Sequence, residues 1–580
     1  MKFLKGLLGG FALLLFANTV TAHAQVEFAG IGSSAQFLQL GEAAALETEG
    51  TIYPEACVWT QASGLSTTAF ALDPTTSNTA KDSGQVWVTW TKGSTGTCPA
   101  PAGTGIFVSF YLQTDSVVGD RCLFNACHVE FPAAGTATSN LLSAVNSSIT
   151  EESLPTAIFN LLMPTSAGTT VNAAGTDISP EDAKFAINRA TASCGSSVAT
   201  GTYGAVSSVQ YLGLGYNSTF TSGNSNSVIT GYTGSTFNVV PFSLPTSFTV
   251  TPLGATPILV VVNSTEGTSG EGFDSSNITN LNRSTLASYL DGSIGSTQDA
   301  LVPGDTETAK PTTVILREPL SGAYNTMEYN IPNTLGLQTS QDVGFNQLPF
   351  SSTTAFNRNC NGPVGTGVEP EWNASGTVMK ALASGANRIR AIGTGQELSF
   401  VVTPPSGANT DVLGYSFWST ANFAPFSSAT HAKYLSIDGV DPLFANYSGT
   451  IPTTSSELKT VTFTHIADGT YPIWSLLRLV TTASGATTAA QDLAAGAQIF
   501  GAPGITATHP DFLPYTSLHV ERSHFTPPGV TYPGSTPQNG MCGTKTEQGG
   551  DVGGIPIPCT VDSDYSTDTG ITAGFINRRS

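Results

Sequence analysis

One recurring unit, strand then glycine turn then helix, constrains this chain more than any other feature. It opens the chain after the first two dozen residues, in "VEFAGIGSSAQFLQLGEAAALE", where a short strand runs into a Gly-rich turn and an apolar helix begins near Ala35. It returns in "NAAGTDISPEDAKFAINRA", where Ser179 or Asp177 can cap a helix with Pro180 at its first position. Between and beyond lie compact apolar strands of the buried type, "TPILVVVN" and "TTVILRE". Strands that alternate with helices bury their edges and faces most economically as an α/β fold. No fixed-period repeat is evident, which argues against a solenoid or propeller.

The residues around "TTVILREPLSGAYNTMEYN" point to chemistry. A strand delivers Arg317, and four residues later Ser321 and Gly322 open a possible helix. That spacing aims a guanidinium and several unpaired backbone N–H groups at one place, which suits an anion. The formal net charge is −20. An acidic chain has no basic face for nucleic acid or an anionic membrane, so any anion must be held by local groups in a dry pocket.

Lys2 and Lys5 precede an apolar run from Gly6 to Val20 and the small-residue site Ala22-His23-Ala24. This is the order of a cleavable secretory signal over 1–24, with no lipid-anchor cysteine at the cleavage site. It predicts a periplasmic or secreted protein with no membrane insertion after cleavage. All eight cysteines fall after it, an even number that suggests disulfides in an exported chain. Cys122 with Cys127, and Cys542 with Cys559, are the natural local pairings. At least one bridge is expected among Cys57, Cys98, Cys122 and Cys127.

From 51 to 166 the pattern shifts to strands such as "GQVWVTW" and "GTGIFVSFYLQTDS" between Gly/Pro/Thr-rich turns, read as a β-rich insertion. Residues 200–250 read as loop, "NLNRSTLASYLDGS" as a short helix ended by Gly292, and "SGTVMKALASGANRIRAIGTG" as a helix with a following turn. The Gly/Pro/Thr-rich tail beyond Pro527 reads as a poorly packed extension.

Several of these segments, in order, resemble the phosphate-binding periplasmic protein family, the solute receptors of phosphate ABC transporters. The matching pieces are "GIGSSA" at 30–35, "GTDISPED" at 175–182, "TPILVVVN" at 256–263, "LNRSTLASYLDG" at 281–292, "REPLSGA" at 317–323 and "YPIWSLLRLV" at 471–480. The similarity runs through the α/β parts, about half of the mature chain, and leaves the 51–166 stretch and the tail outside it. The resemblance implies a two-lobed α/β fold of the type II periplasmic binding class. Lobe I would take 25–257 and 473–580, including the 51–166 insertion and the loop-rich tail, and lobe II would take 258–472. It implies a phosphate-like oxyanion held without catalysis, no cofactor and no metal, with an ABC transporter permease as partner.

By the same resemblance, Ser34 offers a hydroxyl and Ala35 a backbone N–H, and Arg317 makes the charged pair. Ser321, Gly322 and Ala323 give a hydroxyl and amides. Asp177 accepts a proton from the ligand, which favours phosphate over the fully ionised sulfate. Ala35 stands where an aromatic is usual, and Ala323 where a threonine is usual. Each lost hydrogen bond to a charged ligand costs about 1.5–3 kcal/mol. A further serine expected between the first loop and the Asp has no evident position.

Signatures of enzymes are absent: no G-x-S-x-G elbow, no H-E-x-x-H and no P-loop lysine. His519 and His524 flank Glu521 without a recognised ligand spacing, and the Asp562–Gly570 segment lacks the glycine and terminal glutamate of a calcium loop. Trp87, Trp90 and Trp418 fit a β-core. If exposed in a row, they would instead favour the alternative, a cell-surface or adhesion protein that keeps a binding-protein scaffold and stacks glycans.

Overall fold

A computed structural model describes 25–46, 56–62, 84–91, 106–164, 168–180, 247–263, 278–290, 310–317, 321–331, 393–404, 411–426, 432–503 and 509–518, with shorter pieces elsewhere. The expected signal at 1–24, the Cys542–Cys559 pairing, His519, His524 and the Asp562–Gly570 segment lie outside the described residues, as does nearly all of 200–250.

The chain begins with strand β1 (Gln25–Ser33) and helix α1 (Phe37–Leu46). Strands β2 (Ala56–Gln61), β3 (Val86–Thr91) and β4 (Phe107–Thr114) follow, then helices α2 (Ser116–Phe124) and α3 (Thr156–Leu162) and strand β5 (Ala173–Thr176). The long β6 (Thr249–Asn263) leads to α4 (Arg283–Leu290), β7 (Thr312–Arg317) and α5 (Gly322–Asn330). After these come β8 (Asn387–Ala391), α6 (Gly393–Val402), β9 (Asp411–Phe417), β10 (Ala432–Ile437), β11 (Trp474–Thr481) and α7 (Ser484–Gly501).

The principal sheet is mixed and has thirteen strands. Its main path runs β8-β7-β9-β6-β11-β5-β1-β4-β3-β2, with β10 also paired to β6. Strand β6 organises it. Residues 249–257 pair antiparallel with β11, and from Ile258 onward the same strand pairs with β9 and β10. Its apolar run can change partners because it is buried on both faces: Ile258, Leu259, Val260, Val261 and Val262 are all fully buried. On one side of the junction β1 lies between β4 and β5, parallel to both. On the other, β7 lies between β8 and β9, again parallel to both. Parallel neighbours need helical crossovers, which the strand–helix rhythm supplies.

The strand pleat divides the core. Along β3, Trp87 packs into the cluster shared with α1, while Val86, Val88 and Trp90 pack into a second cluster with α2 and α3 on the opposite face. Helix α7 rests its Ala489, Ala490, Leu493 and Ala497 side chains in the first cluster. Among the described residues, no helix is long and apolar enough to cross a membrane.

Three expectations require correction. The described residues of 51–166 do not form a separate β unit: β4 runs parallel beside β1, β3 and β2 extend the same sheet, and the stretch also carries α2 and α3. The stretch read as a helix over 375–395 contains β8, whose alternating "NRIRA" pairs with β7, and the helix starts only at Gly393, where φ is +74°. Cys122 and Cys127, both buried, remain thiols, and the bridge joins Cys57 to Cys98. Cys57 lies on β2, and its partner comes from the loop between β3 and β4. The tail is also less bare than expected, since Val520–Arg522 pairs with Asp551–Val552 and with Ile576–Arg578.

Candidate functional site

The site forms where β1, β5 and β7 end and their following segments begin. At the end of β1, Gly32 adopts φ +141° and faces Gly175 of β5, where a side chain would overlap the Gly175 carbonyl. The close approach brings the first loop beside the β5 end. There Ser33 caps the turn that starts α1, its Oγ accepting from the Ala35 N–H at 3.2 Å. The Ala35 amide expected to face a ligand is therefore engaged by Ser33, and Ser34 is half-buried beside it.

Asp177 follows β5 directly and is buried. Its backbone N–H donates to Ser116 Oγ at 3.3 Å, and its carbonyl accepts from the Ser475 hydroxyl. Burial pushes the carboxyl up to about 7, against the pull of its own backbone N–H, Arg317, the Ser33 hydroxyl and Arg478. Among the described residues, Asp177 Oδ1 is buried without a hydrogen-bond partner. Its carboxylate sits against the Cα of Gly322, where any Cβ would overlap it.

Arg317 ends β7 and is 3% exposed. Its Nη1 donates to Thr394 Oγ1 at 3.0 Å and lies 3.8 Å from Glu397 Oε2, both from α6. Its Nη2 lies 3.3 Å from Asp115 Oδ1. Ser321 is the N-cap of α5, its Oγ accepting from the Tyr324 N–H at 3.3 Å. Gly322 and Ala323 form the first turn, and Ala323 is buried. Helix starts carry partial positive charge, so this end of α5 favours a negative group.

Arg317, Ser321, Gly322, Asp177 and Ser33 thus converge, with Ser34, Ala35 and Ala323 flanking them. Two residues escaped the sequence reading. Ser116, at the start of α2, is a serine between the first loop and Asp177 of the kind the resemblance left unplaced. Asp115 precedes it and reaches Arg317. The signal for both was the strand "IFVSFYLQT", which ends directly before Asp115. The surroundings of Arg317 are acidic, with Asp115, Glu397 and Asp177 about one guanidinium.

No family model matches the chain, and no curated protein does. Solved structures do. A high affinity periplasmic phosphate-binding protein bound with phosphate is 13% identical, aligned over 84% of this chain and 90% of its own, with a TM-score of 0.30. A phosphate-binding protein from Stenotrophomonas maltophilia is 15% identical over 67% of this chain and 74% of its own, at 0.26. A candidate phosphate ABC transporter substrate-binding protein from Clostridium perfringens, with bound phosphate, is 11% identical over 43% of this chain, at 0.23. This chain spans 65% of that protein's length. TM-scores this low carry no argument about a shared ligand, which must come from the site itself.

The aromatic row that would suit glycan stacking is absent among the described residues. Trp87, Trp90 and Trp418 are buried, and so is Trp59. Trp87 and Trp418 also spend their indole N–H groups on the carbonyls of Phe37 and Pro510.

Proposed function

We propose that the chain is an exported, non-catalytic solute-binding protein that holds a phosphate-like oxyanion at this site. The supporting observation is the buried Asp177 Oδ1, without a hydrogen-bond partner, set between the start of α5 and Arg317. A buried carboxyl oxygen without a partner is costly unless something completes it. A protonated oxyanion can do so by donating to Asp177 while its own oxygens accept from Arg317, Ser321, Gly322 and Ala323. Ser34 meets it from the first loop, Ala35 joins once its N–H leaves Ser33 Oγ, and Ser116 adds a hydroxyl.

The same proposal places the ligand between two lobes, one of 25–257 and 473–580 and the other of 258–472. The partner change of β6 at Pro257 and Ile258 supports that division. It also includes work outside the cytoplasm after loss of 1–24, and delivery to an ABC-type permease. A thermal-shift panel of phosphate, arsenate, sulfate and soluble glycans tests it. Stabilisation by phosphate and arsenate is expected, and a response to glycans alone would replace the proposal with the adhesion reading.

A further inference from the structure

Asp115 occupies the position before the first residue of α2, where an aspartate usually caps the helix. Here it makes no side-chain cap to α2. Its carboxylate turns instead to Arg317, 202 residues away in sequence, with Oδ1 3.3 Å from Nη2. The other side of the guanidinium is fixed from behind by Thr394 and the fully buried Glu397. Glu397 is itself tied down, since its Oε1 accepts from the Tyr415 N–H at 3.1 Å. Asp115 meets the guanidinium at Nη2, not at the Nη1 that Thr394 and Glu397 hold. Asp115 is also the more exposed partner, with 17% of its side chain accessible against 3% for Arg317.

The next residue, Ser116, touches the Asp177 backbone, and Asp177 faces Gly322. Asp115 thus stands on the rim of the place where an oxyanion would meet Arg317, and it presents the same chemistry: two oxygens sharing a negative charge. Two such groups cannot share one Nη2 edge in a confined site without repulsion.

We propose that Asp115 is a built-in competitor for the oxyanion, holding the Nη2 side of Arg317 until a phosphate-like ligand displaces it. The proposal rests on the reading of Arg317 as the anion-binding arginine. Such a competitor lowers the apparent affinity by the fraction of time it occupies the arginine, and it speeds release by retaking the guanidinium as the ligand leaves. A carboxylate that only oriented Arg317 would act in the opposite direction, because its removal would loosen the guanidinium and weaken binding.

The test is calorimetric titration of inorganic phosphate into the mature full-length protein, its Asp115→Asn variant and its Asp115→Ser variant. The serine keeps a residue suited to the start of α2, so it carries the test if the asparagine variant misfolds. Both variants are expected to bind phosphate about tenfold more tightly than the wild type, with slower dissociation. Tighter binding in the variants supports the proposal even where wild-type binding is too weak to measure. Wild-type binding with equal or weaker binding in both variants overturns the competitor and leaves the proposed function standing. Binding by none of the three overturns both.

Discussion

Asp177 lies against the Cα of Gly322, so that any side chain at 322 would overlap its carboxylate. This contact joins the end of β5 to the first turn of α5 and brings the acid to the helix start. In an open helix, glycine to alanine at such a position is neutral or stabilising. Here Gly322→Ala is expected to destabilise by about 1–3 kcal/mol, the usual cost of overpacking. It should also weaken phosphate binding by moving Asp177 off the site. Chemical denaturation and phosphate titration of the variant check both effects. An alanine variant as stable as the wild type would refute the contact.

The Asp177 carboxyl gives a pH dependence with a definite sign. Burial raises it from 3.8 to about 7, so above pH 7 it is ionised and requires a ligand that still carries a proton. Phosphate does and sulfate does not. Below pH 7 the neutral acid can itself donate, and sulfate becomes acceptable. The preference for phosphate over sulfate should therefore grow from pH 6 to pH 8, and Asp177→Asn should flatten that trend. Competition titrations at the two pH values measure it.

The same shift bears on stability. A folded-state pKa above the unfolded value contributes stability that is full below about 4 and is lost as pH rises through about 7. Ligand-free Asp177→Asn should consequently exceed the wild type in stability at pH 8, by on the order of 2–4 kcal/mol, and the gain should vanish near pH 4. Urea unfolding at the two pH values checks this. A variant no more stable at pH 8 would contradict the assigned burial of the charge.

How far the sequence revealed this arrangement depends on chain separation. That Arg317 ends a strand and that Ser321 and Gly322 open a helix was legible because strand end, turn and helix start lie within one short stretch. Strand "TPILVVVN" was legible from its unbroken apolar run. The contact of Asp115 with Arg317 was not, because it spans 202 residues and depends on which strands become neighbours. Ser116 was hidden for the same reason: "GTGIFVSFYLQTDS" reads as a strand, but nothing local says that it lies parallel to β1. The stretch "VMKALASGANRIRA" contains good helix formers, but the parallel pairing of its "NRIRA" end with β7 overrides that preference there. Helix α7 was passed over because its small Ala, Gly and Thr residues carry a weak apolar stripe.

Asp511 should prove structurally indispensable where β6 changes partners. Its Oδ1 accepts from the Thr420 N–H at 2.6 Å and the Thr420 hydroxyl at 2.5 Å, and Gln39 of α1 donates to its Oδ2. Its backbone carbonyl accepts from Thr256 Oγ1 on β6 at 3.0 Å. Asp511→Ala would strand the Thr420 N–H in the interior and should cost about 3 kcal/mol in urea unfolding. Asp511→Asn, which keeps one acceptor, should cost less.

The Cys57–Cys98 bridge closes 41 residues of sequence separation, for which chain-entropy arguments give about 4 kcal/mol. Non-reducing peptide mapping should find these two linked. Cys122 and Cys127 should react with alkylating reagents only after unfolding, because both are buried. Reducing agent should lower the unfolding midpoint without abolishing phosphate binding, since the bridge lies on β2 and outside the site.

The most direct test of the central claim is calorimetry of inorganic phosphate binding to the mature chain and to its Arg317→Ala variant. The wild type should give a single-site isotherm, and the variant, folded by circular dichroism, should give none. An absence of heat or thermal shift with phosphate, arsenate and sulfate at millimolar concentration, for the wild type and for Asp115→Asn alike, would contradict the oxyanion site.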